Sequence, residues 1–131
     1  MEIILTPQES EDIFHNALCN GRSIFVGHGL DISYKKDDYD SARRNLKEQN
    51  PNGIICYEDV LLQILKEGGE LQCIDEEGEG EYTKTITLND IHTKVCKTPP
   101  YNIISIMNET DDADDADAIL QTVFFDETVF G

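Results

Sequence analysis

Two histidine–cysteine pairs have the spacing of a metal chelate on a helix. His15 precedes Cys19 by four residues, and His92 precedes Cys96 by the same interval. Residues four apart share one side of a helix, so together the pairs would supply the Cys2His2 set of a structural zinc site. However, His15 and Cys19 lie roughly opposite the apolar face of their own segment. A metal-binding regulatory domain is therefore a disfavoured alternative, and we expect no cofactor.

Cys19 with His15 is also the one local pair that resembles a nucleophile and its base. A reactive thiolate needs an electropositive setting, whereas the preceding residues include Glu9, Glu11 and Asp12. No other nucleophile, acid/base pair or phosphate-binding loop stands out in the sequence. An enzyme is therefore the least favoured of the function classes, and the sequence indicates no catalytic residues.

Carboxylates crowd into two short segments of the C-terminal half. They are Asp75, Glu76, Glu77, Glu79 and Glu81, followed by Asp111, Asp112, Asp114, Asp115 and Asp117. The second segment lacks the glycine and terminal glutamate of an EF-hand loop. Carboxylates there also suit the first turn of a helix, and either group could serve solubility alone. We predict that the ten residues share one exterior side and bind a partner.

The charge of the chain indicates the chemistry of that partner. The chain has 27 acidic and 10 basic residues, for a net charge of −17, and residues 66–131 hold 16 of the acids but only 4 of the bases. Such a surface repels nucleic acid and anionic membranes and attracts basic molecules. We predict a basic protein partner, no direct nucleic-acid binding and no membrane binding. The one basic patch, around Arg43, Arg44 and Lys47, could instead pair with the acidic half of a second copy.

The last residues suggest a different alternative. Phe124, Phe125, Val129 and Phe130 form an apolar end larger than most small domains carry. Exposed apolar patches often mark protein–protein contacts. An oligomeric structural or assembly protein that associates through these residues is therefore a second prediction.

The pattern of helix and turn signals predicts an α+β fold for the chain as a single domain, residues 1–131. We expect five or six helices packed on one or two β-hairpins. The first helix is predicted to begin with a capping box at Thr6 and Glu9 and to end at Asn20-Gly21, before a hairpin of Ser23–Val26 with Leu30–Tyr34.

The remaining elements follow from the same signals. A second hairpin is predicted over Glu70–Asp75 and Glu81–Leu88. Thr87 and Thr110 are predicted to cap the helices that follow them. The other predicted helices are Asp37–Gln49, Tyr57–Lys66 and Tyr101–Asn108.

The cysteines and the N-terminus indicate the compartment. Cys19, Cys56, Cys73 and Cys96 are widely spaced, unlike a dense disulfide framework, so we expect free thiols in a reducing environment. Met1–Ser10 lacks the basic and apolar regions of a secretory signal. The expected location is the cytoplasm.

Three segments resemble small uncharacterised acidic proteins of tailed bacteriophages and gut Bacteroidetes. They are Tyr57–Leu65, Lys84–Ile91 and Ala118–Phe125. The resemblance covers roughly residues 57–131 and implies a phage-related origin and the cytoplasm of a bacterial host. It carries no catalytic motif. A phage accessory protein, or an inhibitor that imitates nucleic acid, is the function it favours.

Overall fold

Helices cover most of the chain and pack against a small sheet. The computed structural model describes residues 3–78, 80–110 and 112–130. Within them the helices are α1 (Pro7–Gly27), α2 (Lys36–Gln49), α3 (Tyr57–Lys66), α4 (Leu88–Lys94), α5 (Pro100–Met107) and α6 (Ala113–Phe125). The strands are β1 (Leu30–Ser33), β2 (Leu71–Asp75) and β3 (Lys84–Ile86). The predicted α+β class is confirmed.

Helix α1 begins as its sequence predicts. The Glu9 N–H donates to Thr6 Oγ1 (3.1 Å), and the Thr6 N–H donates to Glu9 Oε1 (2.9 Å). This capping box satisfies two backbone donors that the first turn would otherwise leave unpaired. The predicted apolar face is buried, with Phe14 and Leu18 fully inaccessible.

The predicted end of α1 is wrong. The helix continues through Gly21 and through Ser23–Val26, which was predicted to be a strand, and ends at Gly27. A Cβ on Gly21 would lie 2.6–2.8 Å from the backbone and side chain of α6 near Ala116, so this glycine allows two helices to pack closely instead of ending one. Phe25 is fully buried and packs against Phe124 with 5.5 Å between ring centroids. Tertiary packing thus overrides the local strand preference of this segment.

One hairpin forms instead of two. β2 and β3 are paired antiparallel, as predicted, although both strands are shorter than expected. Strand β1 pairs antiparallel with β2, in the register Leu30 to Asp75 and Ile32 to Cys73. The sheet order is β1-β2-β3. Residues on alternate positions of β2 face the core, as expected for a sheet covered on one side.

The middle helices agree with the prediction. Helix α3 has the predicted bounds, and its apolar stripe is buried: Val60, Leu61, Ile64 and Leu65. The chain leaves α3 through Gly68, whose φ of +90° suits a residue without a Cβ. The Thr87 N–H donates to Asp90 Oδ2 (2.7 Å) at the start of α4, as the capping pattern predicts.

The cap of α6 differs from the prediction. Asp112, not Thr110, is the N-cap residue, and the Thr110 N–H donates to Ser105 O (2.9 Å) at the end of α5. An aspartate is as good a cap as a threonine, so the local signal did not separate the two. The inward face of α6 is buried and includes Ile119, Leu120, Val123 and Phe124.

Candidate partner-docking surface

The acidic turn between β2 and β3 divides into one structural carboxylate and an exposed group. Asp75 is buried and accepts hydrogen bonds from the backbone N–H groups of Gly78 (2.6 Å) and Tyr82 (3.1 Å). It closes the turn and is therefore not available to a partner. The exposed carboxylates here are Glu76, Glu77 and Glu81. Glu79 lies outside the described residues.

The acidic segment at the start of α6 also has two roles. The Asp115 N–H donates to Asp112 Oδ1 (3.0 Å), and the Asp112 N–H donates to Asp115 Oδ2 (3.1 Å). These two carboxylates cap the helix, while Asp114 is exposed to solvent. Asp111 lies outside the described residues. The prediction that all ten carboxylates form one exterior side is thus too broad, because some of them hold the fold.

Asp117 is the most buried of the α6 carboxylates. Its Oδ2 accepts a hydrogen bond from Gln121 Nε2 (2.7 Å) and pairs with His28 Nε2 (2.9 Å). Gln121 Oε1 in turn accepts from the N–H groups of Val129 and Phe130, both at 2.7 Å. Gln121 thereby ties the C-terminal segment to α6. Sequence reasoning missed this residue, although a glutamine within an apolar helical face was a signal for a buried polar role.

A groove forms between α5, α6 and the C-terminal segment, and we call it the α5–α6 groove. It has a volume of about 450 Å³. Its lining residues are Pro99, Tyr101, Asn102, Asp112, Asp114, Asp115, Asp117, Ala118, Thr128 and Phe130. The groove therefore combines four carboxylates with two aromatic rings.

The outer face of α5 exposes a row of apolar side chains beside this groove. Tyr101 is 69% exposed, and Ile104 and Met107 are each 49% exposed. The spacing of three residues places them along one side of the helix. Ile103, by contrast, is buried. We call the exposed set Tyr101, Ile104 and Met107 the α5 ridge.

A second groove lies between α1 and α5 and meets the α5 ridge at Met107. It has a volume of about 220 Å³. Its lining residues are Glu9, Asp12, Ile13, Asn16, Ile106 and Met107. The α5 ridge thus meets a groove lined by carboxylates at each of its ends, Tyr101 and Met107. Among the described residues neither groove is lined by a lysine or arginine.

A cluster of basic residues lies on α2. Arg43, Arg44 and Lys47 line a groove on α2. Arg22 lies over the Tyr57 ring at 4.8 Å and near Glu58 at 3.8 Å. The three basic residues of α2 do not line either groove beside α5, although the exposed Lys97 lies three residues before α5 begins.

The predicted metal ligands are bonded to other groups. His15 Nε2 pairs with Asp59 Oδ1 (2.6 Å), and His92 Nε2 pairs with Glu11 Oε2 (2.8 Å). Cys19 Sγ lies 4.0 Å from His15 Nδ1, and Cys96 Sγ donates to a backbone carbonyl. The described part of the chain contains no group of three or more histidine, cysteine or acidic side chains placed to hold a metal ion.

The setting of Cys19 opposes nucleophilic chemistry. Burial raises the pKa of its thiol, and the negative charges of Glu58 and Asp59 raise it further. A thiol with a raised pKa is mostly protonated at neutral pH and is a weak nucleophile. The carboxylates that act on Cys19 therefore lie on α3 and are not the Glu9, Glu11 and Asp12 that precede it in the sequence.

The apolar C-terminal end packs on its own fold. Phe124 is buried, and the Phe125 and Phe130 rings lie 5.5 and 5.2 Å from the ring of Tyr82. Phe130 also stacks on His28 at 4.9 Å. Val129 and Phe130 are only partly exposed. These contacts use much of the surface on which the oligomer prediction depended.

Comparisons with known proteins supply no relative. No protein-family model, curated protein or solved structure matches the chain. Among the described residues, no helix combines the length and the apolar character needed to cross a bilayer. The chemistry of the surface therefore has to be argued from its own side chains.

Proposed function

We propose that this protein is a non-enzymatic interaction module that docks a basic, amphipathic segment of a partner protein over α5. One observation carries the proposal: an exposed apolar ridge lies between two grooves lined by carboxylates. Apolar side chains of the partner would cover the α5 ridge, and its lysines or arginines would reach the acidic grooves. Amphipathic helices commonly bind proteins in this way.

Electrostatics give such docking its selectivity. Complementary charge accelerates association and rejects partners of the same sign. A net charge of −17 repels other acidic proteins and nucleic acid over the whole surface. In a phage setting, as the sequence resemblance implies, the partner would be a basic host protein, and this chain would imitate the nucleic acid that the partner binds.

The test uses a defined probe. A short amphipathic helical peptide of leucine and lysine is titrated into the protein and the dissociation constant is measured by calorimetry at low and at physiological salt. We expect binding at low salt that weakens as salt screens the charges, with a version carrying glutamine in place of lysine binding far more weakly. Equal binding of the two peptides would contradict the proposal.

Charge-matched variants locate the binding surface. Asp12→Asn combined with Asp114→Asn removes one exposed carboxylate from the groove at each end of the α5 ridge. Exposed ion pairs contribute about 0.2–1 kcal/mol each, so the lysine peptide should bind on the order of fivefold more weakly. The control, Glu70→Gln with Glu77→Gln, makes the same charge change at exposed positions outside the two grooves and should bind almost normally.

Assembly through the apolar C-terminal end is an alternative prediction, but less exposed apolar surface is available for it than the sequence suggested. Phe124 is buried, and its neighbours contact Tyr82 and His28 within the same chain. A second copy would instead have to bring the basic residues of α2 to the acidic grooves. Light scattering at rising protein concentration distinguishes a monomer from either assembly.

A further inference from the structure

Two residues that line the α5–α6 groove each carry a buried oxygen atom that accepts no hydrogen bond from the described residues. The two atoms are Oδ1 of Asp117 and Oδ1 of Asn102. Asp117 is 6% exposed and Asn102 is 5% exposed, and both residues line the groove. Buried acceptors without a donor are uncommon in folded proteins and call for an explanation.

The orientation of both acceptors is fixed by their neighbours. Asp117 is held through its other oxygen, Oδ2, by His28 and Gln121. Asn102 is held because its Nδ2 donates to Asp115 Oδ1 at 2.7 Å. The groups that would receive a donor are therefore preorganised, which lowers the entropic cost of binding a ligand there.

The walls and rim of the groove complement a flat organic cation. Tyr101 and Phe130 supply aromatic rings, and Phe130 is held in place by its backbone bond to Gln121. Asp112 and Asp114 are exposed at the start of α6 and add negative charge. Cations bind favourably over aromatic faces, and arginine does so more often than lysine.

The geometry points to one ligand class, and we propose that the α5–α6 groove anchors the guanidinium group of an arginine in the docked segment. The guanidinium has five donors in a planar fork, which can serve separate acceptors while its face lies against a ring. A lysine ammonium is a compact point charge that cannot stack in this way. This inference rests on the proposed docking function and adds the identity of its anchor residue.

The experiment compares two peptides that differ only in their cation. The leucine–lysine peptide of the docking test is matched by one in which every lysine is arginine, and both dissociation constants are measured on the intact chain. We expect the arginine peptide to bind about tenfold more tightly, because the planar fork reaches a second acceptor while its face stacks on a ring, which a lysine ammonium does not do. The ratio of the two dissociation constants is the readout.

Two variants of the α5 ridge separate anchoring from general docking. Tyr101→Ala removes an aromatic wall of the groove and should bring the ratio close to one. Ile104→Ala shortens an exposed apolar side chain of the same helix that does not line the groove. It should weaken both peptides equally and preserve the ratio.

A third variant changes Asp117, one of the two residues with a buried acceptor. Asp117→Asn removes the buried charge and should also lower the ratio, provided that circular dichroism shows the native fold. The two ridge variants decide the question if this one does not fold, because their side chains are exposed.

Each outcome has a definite meaning. A ratio near one in the unchanged protein, with both peptides bound, overturns the arginine anchor but leaves the docking function standing. A high ratio that survives Tyr101→Ala also overturns the anchor, because the selectivity then arises elsewhere. Failure of both peptides to bind overturns the anchor and the docking function together.

Discussion

Each of the three histidines bonds to a carboxylate on a different part of the fold. His15 of α1 bonds Asp59 of α3, and His92 of α4 bonds Glu11 of α1. His28, just after α1, pairs with Asp117 of α6. A histidine that contacts a carboxylate across two elements restrains their relative position. The residues that suggested metal chelation in the sequence therefore have a role in joining helices.

Cys73 of β2 provides a pH-dependent test at the scale of one residue. The side chain is fully buried, and burial, followed by the negative charges of Asp75 and Asp31, raises the pKa of its thiol to about 12. An unfolded cysteine has a pKa of about 8.5. The fold therefore favours the protonated thiol, and this contribution to stability is complete below about pH 8.5.

Above about pH 8.5, the Cys73 thiol loses its proton in the unfolded chain and keeps it in the folded chain. The free energy of unfolding should fall by about 1.4 kcal/mol for each pH unit from this group alone. Urea unfolding between neutral pH and moderately alkaline pH measures the slope, which should be shallower in Cys73→Ala. An unchanged slope in that variant would show that the thiol ionises freely in the folded protein.

At the scale of elements, the sequence was most informative where local signals and tertiary packing agree. Capping boxes at Thr6 and Thr87 and the apolar stripe of α3 predicted three helices well. The prediction for the second half of α1 was wrong, because Ser23–Val26 has strand-forming residues and follows a glycine. Nothing in the local sequence indicates that Gly21 packs against α6, since a glycine at this position is equally typical of the end of a helix.

Two glycines of α1 test this account of helix packing. Gly21→Ala would place a Cβ within 2.6–2.8 Å of atoms in α6, so we expect a loss of about 1–3 kcal/mol in stability from overpacking. Gly27 is in the same helix, but a Cβ added there would have no neighbouring atom within 4 Å. Gly27→Ala should therefore be neutral or should stabilise the helix by up to about 1 kcal/mol.

Chemical denaturation of the two glycine variants gives the comparison directly. Both add one methyl group to α1, so helix propensity changes in the same direction and only the contact with α6 differs. If Gly21→Ala is as stable as Gly27→Ala, the close approach of α1 to α6 is incorrect. Since α6 also carries Asp117, a displaced α6 should change the α5–α6 groove as well.

For the whole molecule, composition predicted the charge of the surface but not its location. Asp75 and Asp117 were predicted to face a partner, yet both are buried and hold the fold. Tyr101, which lines the groove, carries no sequence signal because its exposure depends on how α5 packs. The sites of partner contact are set by tertiary structure, which a count of carboxylates does not contain.

The net charge makes a prediction about stability that does not depend on any partner. With 27 acidic and 10 basic residues, repulsion between carboxylates outweighs attraction, and this opposes the compact state. Raising sodium chloride from about 0.01 to about 0.15 M shortens the Debye length from about 30 to about 8 Å. Scanning calorimetry should show a higher Tm in the higher salt.

The expected increase in Tm is about 3–5 °C for each kcal/mol of repulsion relieved in a chain of this size. Glu77→Gln removes one exposed carboxylate from the acidic turn and should raise the Tm at low salt while reducing the effect of added salt. The opposing contribution comes from pairs such as Lys94 with Asp126 (3.2 Å), which salt weakens. A Tm that falls as salt is added would mean that these attractive pairs dominate, and that the carboxylates are too dispersed to form an acidic face.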